Sequence, residues 1–221
     1  CKWCCNPESQ EYQIQTMMVQ GKPKTIGRDV TVEEVMETVM KDQIYYQRSG
    51  GGLTLSGGES LCQAEFARDL LRAAKARGIN TAMESMAGLP YEKVEMVLPY
   101  LDTYLMDIKH MNPLKHKEFT GKSNELMLEN ARKIAESGQT KLVIRVPVIP
   151  TFNDQPDEIR DIAWFADKLP GVDKIHLLPY HRLGQDKYDG LGRTYEMPDV
   201  LPPENEYMDM LKRVVEQNSK L

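Results

Sequence analysis

The chain has 221 residues, 41% hydrophobic and 28% charged, with 15 Gly and 13 Pro spread along it. That balance argues against disorder, collagen-like repeats and coiled coil, and the length suits one domain that buries about 70% of its unfolded surface. Lys and Arg total 28 against 33 Asp and Glu, a formal net charge of −5, which argues against nonspecific nucleic-acid or anionic-membrane binding and leaves small ligands or a protein partner. No apolar run reaches the roughly 18 residues of a membrane span, and nothing reads as a targeting signal, so the cytoplasm is the expected location.

Cys1, Cys4 and Cys5 fall within the first five residues, and Cys62 stands alone. A disulfide framework spreads its bridges over a small, loop-rich fold; this clustering, in a chain with its own core, points to metal, cluster or redox chemistry. The Cys-x-x-Cys spacing by itself does not separate zinc, iron-sulfur, thiol redox and no function. The chain opens on Cys1 rather than methionine and reads as a fragment or processed product. After a polar stretch from Ser9 to Asp29, Thr31 and Glu34 make a capping box, and Val32, Val35, Met36, Val39 and Met40 recur at helical spacing, which predicts one helix to about Arg48. Gly50, Gly51 and Gly52 end it, and Leu53 to Ser56 predicts a short buried strand closing on Gly57-Gly58-Glu59. A helix from about Leu61 follows, with Cys62, Phe66, Leu70 and Ala74 on one face and Gly78 as its stop, which makes Cys62 a small buried hydrophobe.

The unit then repeats. Strand Asn80 to Glu84 precedes a helix around Tyr91 to Leu98, and strand Thr103 to Ile108 precedes one around Asn124 to Ser137. The apolar run Lys141 to Ile149 precedes a helix around Asp157 to Leu169, and Lys174 to Leu178 precedes a last helix around Glu204 to Gln217. Short apolar strands alternating with helices indicate parallel pairing and right-handed crossovers: an α/β fold, either an open doubly wound sheet or a barrel. Met36, Met40, Met127 and Met210 read as core filler.

In both architectures ligands bind beyond the carboxyl ends of the strands. Those ends carry Gly57-Gly58-Glu59, Glu84-Ser85, Asp107-x-Lys109, Arg145 and Pro179-Tyr180-His181. Asp107 and Lys109 share one side of a strand, and with Arg145 and Glu84 they form a mixed-charge rim suited to a zwitterion; glycines after the first strand let carbonyls approach an ammonium. Taken singly, each has a plainer explanation: a structural ion pair, a turn histidine, a tight strand-to-helix turn. The lack of a closely spaced His pair argues against a metal hydrolase of the His-Glu-x-x-His type.

These residues resemble the radical S-adenosylmethionine activating enzymes of glycyl radical enzymes, the pyruvate formate-lyase activating enzyme group. Cys1-Lys2-Trp3-Cys4-Cys5-Asn6-Pro7-Glu8 is similar to the last two cysteines of the Cys-x-x-x-Cys-x-x-Cys motif and its sequel. Leu55-Ser56-Gly57-Gly58-Glu59 resembles the Gly-Gly-Glu motif, Met106-Asp107-Ile108-Lys109 the Asp-x-Lys motif, and Leu178-Pro179-Tyr180-His181-Arg182-Leu183-Gly184 the loop after the sixth strand. The segment Tyr188 to Tyr195 is most similar to the branch serving choline lyase and glycerol dehydratase.

The resemblance implies a single radical S-adenosylmethionine domain over residues 1–221, a partial (β/α)6 TIM-like barrel whose first strand lies before Cys1. It implies a [4Fe-4S] cluster with Cys1 and Cys4 as metal ligands, and S-adenosylmethionine cleaved to a 5′-deoxyadenosyl radical that takes hydrogen from a partner's glycine. Trp3 and Asn6 would lie near the adenine. A carbonyl of Gly57 or Gly58, in the motif completed by Glu59, would receive the methionine ammonium with help from Glu84. Asp107 would hold ribose hydroxyls, Lys109 and Arg145 the carboxylate and nearby polar groups, and His181 would close the nucleoside side. Glu84 and Ser85 would help hold a monovalent cation beside Asp107. The implied partners are a glycyl radical enzyme as protein substrate and reduced flavodoxin or ferredoxin as electron donor, in an anaerobic, oxidoreductase chemistry.

Two departures carry expectations. The motif's first cysteine is absent, so Cys1 to Asn6 is expected to be displaced or mobile and the chain as given inactive. Ser9 to Arg28 holds no cysteine, so the ferredoxin-like insertion of this branch is absent there. The alternatives are a related radical enzyme acting on another peptide or small molecule, and a non-catalytic module that binds S-adenosylmethionine or a partner.

Overall fold

The computed structural model describes all 221 residues, Cys1–Leu221. In chain order the elements are β1 (Gln15–Val19), β2 (Lys22–Ile26), α1 (Val32–Val39), α2 (Gln43–Ser49), β3 (Gly52–Leu55), α3 (Ala64–Lys75), β4 (Asn80–Ser85) and α4 (Tyr91–Glu95). Then come β5 (Thr103–Asp107), α5 (Pro113–Thr120), α6 (Glu125–Ser137), β6 (Lys141–Val148), α7 (Pro156–Asp167), β7 (Val172–Pro179), α8 (Gln185–Gly190) and α9 (Asn205–Asn218).

The five expected strands form one parallel sheet in the order β3-β4-β5-β6-β7. That order never reverses. A doubly wound sheet changes direction at a switch point, so an order that runs one way selects the barrel type, here an open arc of five strands. Along each strand the faces alternate. Thr81, Met83 and Ser85 of β4, Tyr104 and Met106 of β5, and Leu142, Ile144, Val146 and Val148 of β6 are buried on the helix-covered side. The opposite, concave face carries Glu84, Asp107, Arg145 and His176 and stays partly open. The main core lies between the convex face and helices α3, α6, α7 and α9, from Leu71 through Ile134 and Ile159 to Leu211. Burial there supplies the driving force, at about 25 cal/mol per Å² of apolar area removed from water.

Local chemistry explains the departures from the periodicity. Thr31 caps α1 as expected, with Glu34 N donating to Thr31 Oγ1 (3.2 Å) and Thr31 N to Glu34 Oε2 (2.7 Å). The single helix to Arg48 is instead two helices parted by a 3-10 turn at Met40–Asp42. Full burial stops at Val39, and α2 has no fully buried residue to hold it on the same axis. A 3-10 turn at Ser60–Gln63 precedes α3 and turns Cys62 out, so this cysteine is exposed rather than buried. The polar stretch holds a hairpin, β1 with β2, closed by Gln20 (φ 50°) and Gly21 (φ 76°). Two positive φ angles are what a two-residue hairpin needs, and glutamine is an unusual carrier of one. Helix α5 starts on Asn112, whose side chain accepts from Leu114 N and Lys115 N, with Pro113 at its first position; only His116 of it is buried, so no apolar stripe announces it.

Cys1 to Asn6 is docked, contrary to the expected displacement. Trp3, 7% exposed, packs its ring 5.1 Å from Phe152, and Lys2 N donates to Phe119 O (2.9 Å). The segment after β7 closes over it: a Cβ on Gly184 would lie 2.6 Å from Cys5 Cα, so only glycine permits this approach. Lys187 Nζ reaches Asn6 Oδ1 (2.9 Å) and Glu8 Oε1 (2.7 Å), and Arg193 donates to Pro7 O (2.7 Å). These tethers anchor the segment.

Candidate cofactor-binding site

At the carboxyl ends of β4, β5 and β6 one guanidinium links three strands. Arg145 Nη1 donates to Glu84 Oε1 (2.6 Å), and Arg145 Nε and Nη2 both reach Asp107 Oδ1 (2.9 Å). Lys109 Nζ closes the row on Asp107 Oδ2 (3.0 Å), and Ser56 Oγ donates to Glu84 Oε2 (2.7 Å). Parallel register explains the reach, since Asp107 pairs with Arg145 and Glu84 lies one strand further on the same face. Lys109 is 6% exposed, so its charge is tolerated only because it is paired. Burial pushes the Asp107 carboxyl up, but the Lys109 ammonium and Arg145 guanidinium outweigh it and hold it below the usual carboxylate range. Burial opposes the Arg145 charge while Asp107 and Glu84 raise its affinity for the proton, with a net rise. Asp107 and Arg145 are thus held in their charged forms, and the hydrogen bonds fix the geometry of the row.

The other expected site residues divide into two sets. Asn6 Nδ2 donates to Gly57 O (3.1 Å), which brings the segment after the cysteines onto the Gly-Gly turn, and Gly57 adopts φ 112°, a conformation that favours glycine. Gly58 lies under Ser9, where a Cβ would sit 2.8 Å from Ser9 Oγ. His181 is exposed, with Nδ1 accepting from Leu183 N (3.4 Å) and 3.9 Å from Cys5 Sγ. Glu59, Ser85 and Trp3 lie beneath the rim instead. Glu59 Oε1 accepts from Leu61 N (3.1 Å) and Ser85 Oγ (2.7 Å), Glu59 Oε2 accepts from Met86 N (3.2 Å), and Ser85 Oγ accepts from Ala87 N (2.9 Å). These groups are committed to protein partners, and Trp3 is an aromatic support under the N-terminal turn. Sequence reasoning missed Ser56, which joins the row, and Lys187, which holds Asn6. Ser56 stood inside the Gly-Gly-Glu stretch and was legible; Lys187 carries no local signal.

Cys1 and Cys4 occupy one turn, with Cys4 N donating to Cys1 O (3.2 Å), and both are half-buried free thiols. Cys5 Sγ turns toward Trp3 O and His181, each at 3.9 Å, and burial pushes its thiol pKa up. No three His, Cys, Asp or Glu side chains converge as a metal site.

An arc of parallel strands in unreversed order, with a charged rim and a Gly-Gly turn at the carboxyl ends, makes an α/β half barrel with an open concave side. The family model described as Radical SAM superfamily matches residues 1–163. The chain is 44% identical over 179 residues to the (2S)-3-sulfopropanediol dehydratase activating enzyme of Klebsiella oxytoca, covering 80% of this chain and 56% of that protein. It is 38% identical over 193 residues to the pyruvate formate-lyase 1-activating enzyme of Escherichia coli (strain K12), covering 86% and 78% respectively. The crystal structure of a domain of pyruvate-formate lyase-activating enzyme from Bacteroides vulgatus ATCC 8482 superposes with a TM-score of 0.63 at 28% identity, over 76% of this chain and 94% of that one. The chain belongs to the radical SAM superfamily and, within it, to the group of glycyl radical enzyme activating enzymes. That superfamily works with a [4Fe-4S] cluster and S-adenosylmethionine. The chain spans just over half the length of the Klebsiella relative.

Proposed function

We propose that this chain is the S-adenosylmethionine-binding half barrel of a glycyl radical enzyme activating enzyme. The observation that carries the reading is the Glu84–Arg145–Asp107–Lys109 row across three strand ends of the open face. Asp107 and Glu84 present carboxylate oxygens to ribose hydroxyls and the methionine ammonium, which the Gly57 carbonyl also receives. Lys109 and Arg145 draw the methionine carboxylate, and Asn6 and His181 bound the nucleoside side. Because the row is already paired, its geometry is set before the ligand arrives, and little conformational entropy remains to be lost on binding. Held by these residues, the cofactor would supply, on one-electron reductive cleavage of its sulfonium C–S bond to methionine, a 5′-deoxyadenosyl radical able to take hydrogen from a partner's glycine. Cys1 and Cys4 are the thiolates this chain contributes to the cluster, and reduced flavodoxin or ferredoxin is the electron donor.

The test is anaerobic reconstitution of the full-length protein with iron and sulfide, reduction, and measurement of 5′-deoxyadenosine from S-adenosylmethionine. Product that disappears in the Asp107→Ala variant is the expected result. No product from the reconstituted wild type overturns the reading.

A further inference from the structure

Beneath the rim, three buried asparagines each donate their side-chain amide to two backbone carbonyls of the strand-end loops. Asn130 Nδ2 serves Ala87 O and Leu89 O (both 2.8 Å), and Asn124 Nδ2 serves His110 O (2.7 Å) and Met111 O (2.8 Å). Asn153 Nδ2 serves Lys109 O (2.7 Å) and Pro147 O (2.8 Å), while its Oδ1 accepts from Ile149 N (2.7 Å). Asn153 is 0% exposed, and unlike the other two it bridges β6 and the loop after β5.

The turn that carries Asn153 is strained. Thr151 has φ 74°, a conformation that is costly for a β-branched residue and persists only where its surroundings enforce it. Here Phe152 N and Asn153 N both donate to Ile149 O (3.1 and 3.2 Å), and Thr151 N donates to Asp154 Oδ1 (3.2 Å). The conformation sets Phe152 against Trp3 (5.1 Å), Phe119 (4.6 Å) and His110 (5.1 Å) while placing the Asn153 amide on the Lys109 carbonyl. One short turn thus fixes the cysteine-bearing segment through Trp3 and the rim ammonium through the Lys109 backbone.

We propose that Asn153 is a positioning residue for Lys109, holding its backbone so that the ammonium stays on Asp107 and the cofactor rim keeps its shape. The part of this proposal that concerns S-adenosylmethionine rests on the function proposed above. Asn153→Asp keeps the acceptor for Ile149 N but turns the double donor into an oxygen facing two carbonyls. Asn130→Asp makes the same change under the loop after β4, away from Lys109.

Two readouts on the full-length protein test it. Amide hydrogen exchange across residues 108–112 is expected to quicken about tenfold or more in N153D and to stay within about twofold in N130D. The Kd for S-adenosylmethionine is expected to rise about tenfold in N153D, yet to change less than about twofold when N153D is added to a Lys109→Met background. Equal exchange in N153D and N130D, or the same tenfold rise with methionine at position 109, overturns the proposal. Asn153→Ser, which keeps one donor, is read the same way if N153D does not fold. A wild type that fails to bind S-adenosylmethionine defeats the functional reading, while the exchange comparison still decides whether Asn153 orders Lys109.

Discussion

Asp107 is where charge, burial and proposed function meet. Its carboxyl accepts from both Arg145 and Lys109, so Asp107→Asn leaves a buried ammonium without its counter-ion and is expected to cost about 3 kcal/mol at neutral pH. The pH dependence has a definite sign. The folded carboxyl lies below its ordinary value, so its stabilisation is complete above about pH 4 and fades as pH falls through the lowered folded value. Urea midpoints of wild type and D107N should therefore stay apart between pH 5 and 7, as about two separate curves, and converge below about pH 4. A gap that is constant down to pH 3 would remove Asp107 as the source. Glu59 makes the contrasting case. It accepts three hydrogen bonds from Leu61, Ser85 and Met86, so Glu59→Ala is expected to lose about 2–3 kcal/mol of stability. Denaturant melts check this, and a variant as stable as wild type would show that these bonds are replaced by water.

Among elements, the strap from Arg182 to Arg193 decides where the cysteines lie. Lys187→Met removes two contacts to the Asn6–Glu8 segment. Since the lysine side chain is about a third exposed, the expected cost in global stability is small, about 1 kcal/mol or less. The local effect is expected to be larger: faster hydrogen exchange in residues 2–9, with α3 and β4 unchanged, because fraying needs only these tethers to open. Uniform exchange across the chain would contradict it. The five strands were legible because each is short, apolar and followed by a helical stripe. The hairpin, α5 and α8 were not, because their residues bury little and their geometry comes from Gly21, from Asn112-Pro113 and, for α8, from packing against Met17 and Met18 of β1. The rim residues were legible from their position at strand ends. Asn153 and Lys187 act through contacts with residues 44 and 181 positions away, and no local pattern encodes such partners.

For the whole molecule, the unreversed strand order leaves one face of the sheet without covering helices, and the polar row lies at the open end of that face. Convex and concave sides therefore answer to different demands. Met106→Ala on the convex side, where the methionine is fully buried, is expected to cost about 2–5 kcal/mol without altering ligand affinity in the folded fraction. Substitutions at Glu84 or Arg145 are expected to alter affinity as well as stability, because the same carboxylates and guanidinium serve the rim. Under the proposed function, this face delivers hydrogen abstraction to a glycine of a partner protein. Its most direct test supplies the reconstituted full-length protein with S-adenosylmethionine, a reductant and a partner glycyl radical enzyme deuterated at glycine, and weighs the 5′-deoxyadenosine by mass spectrometry. The expected result is 5′-deoxyadenosine carrying deuterium together with a glycyl radical signal on the partner; 5′-deoxyadenosine free of deuterium, with no radical on the partner, would contradict the proposed function.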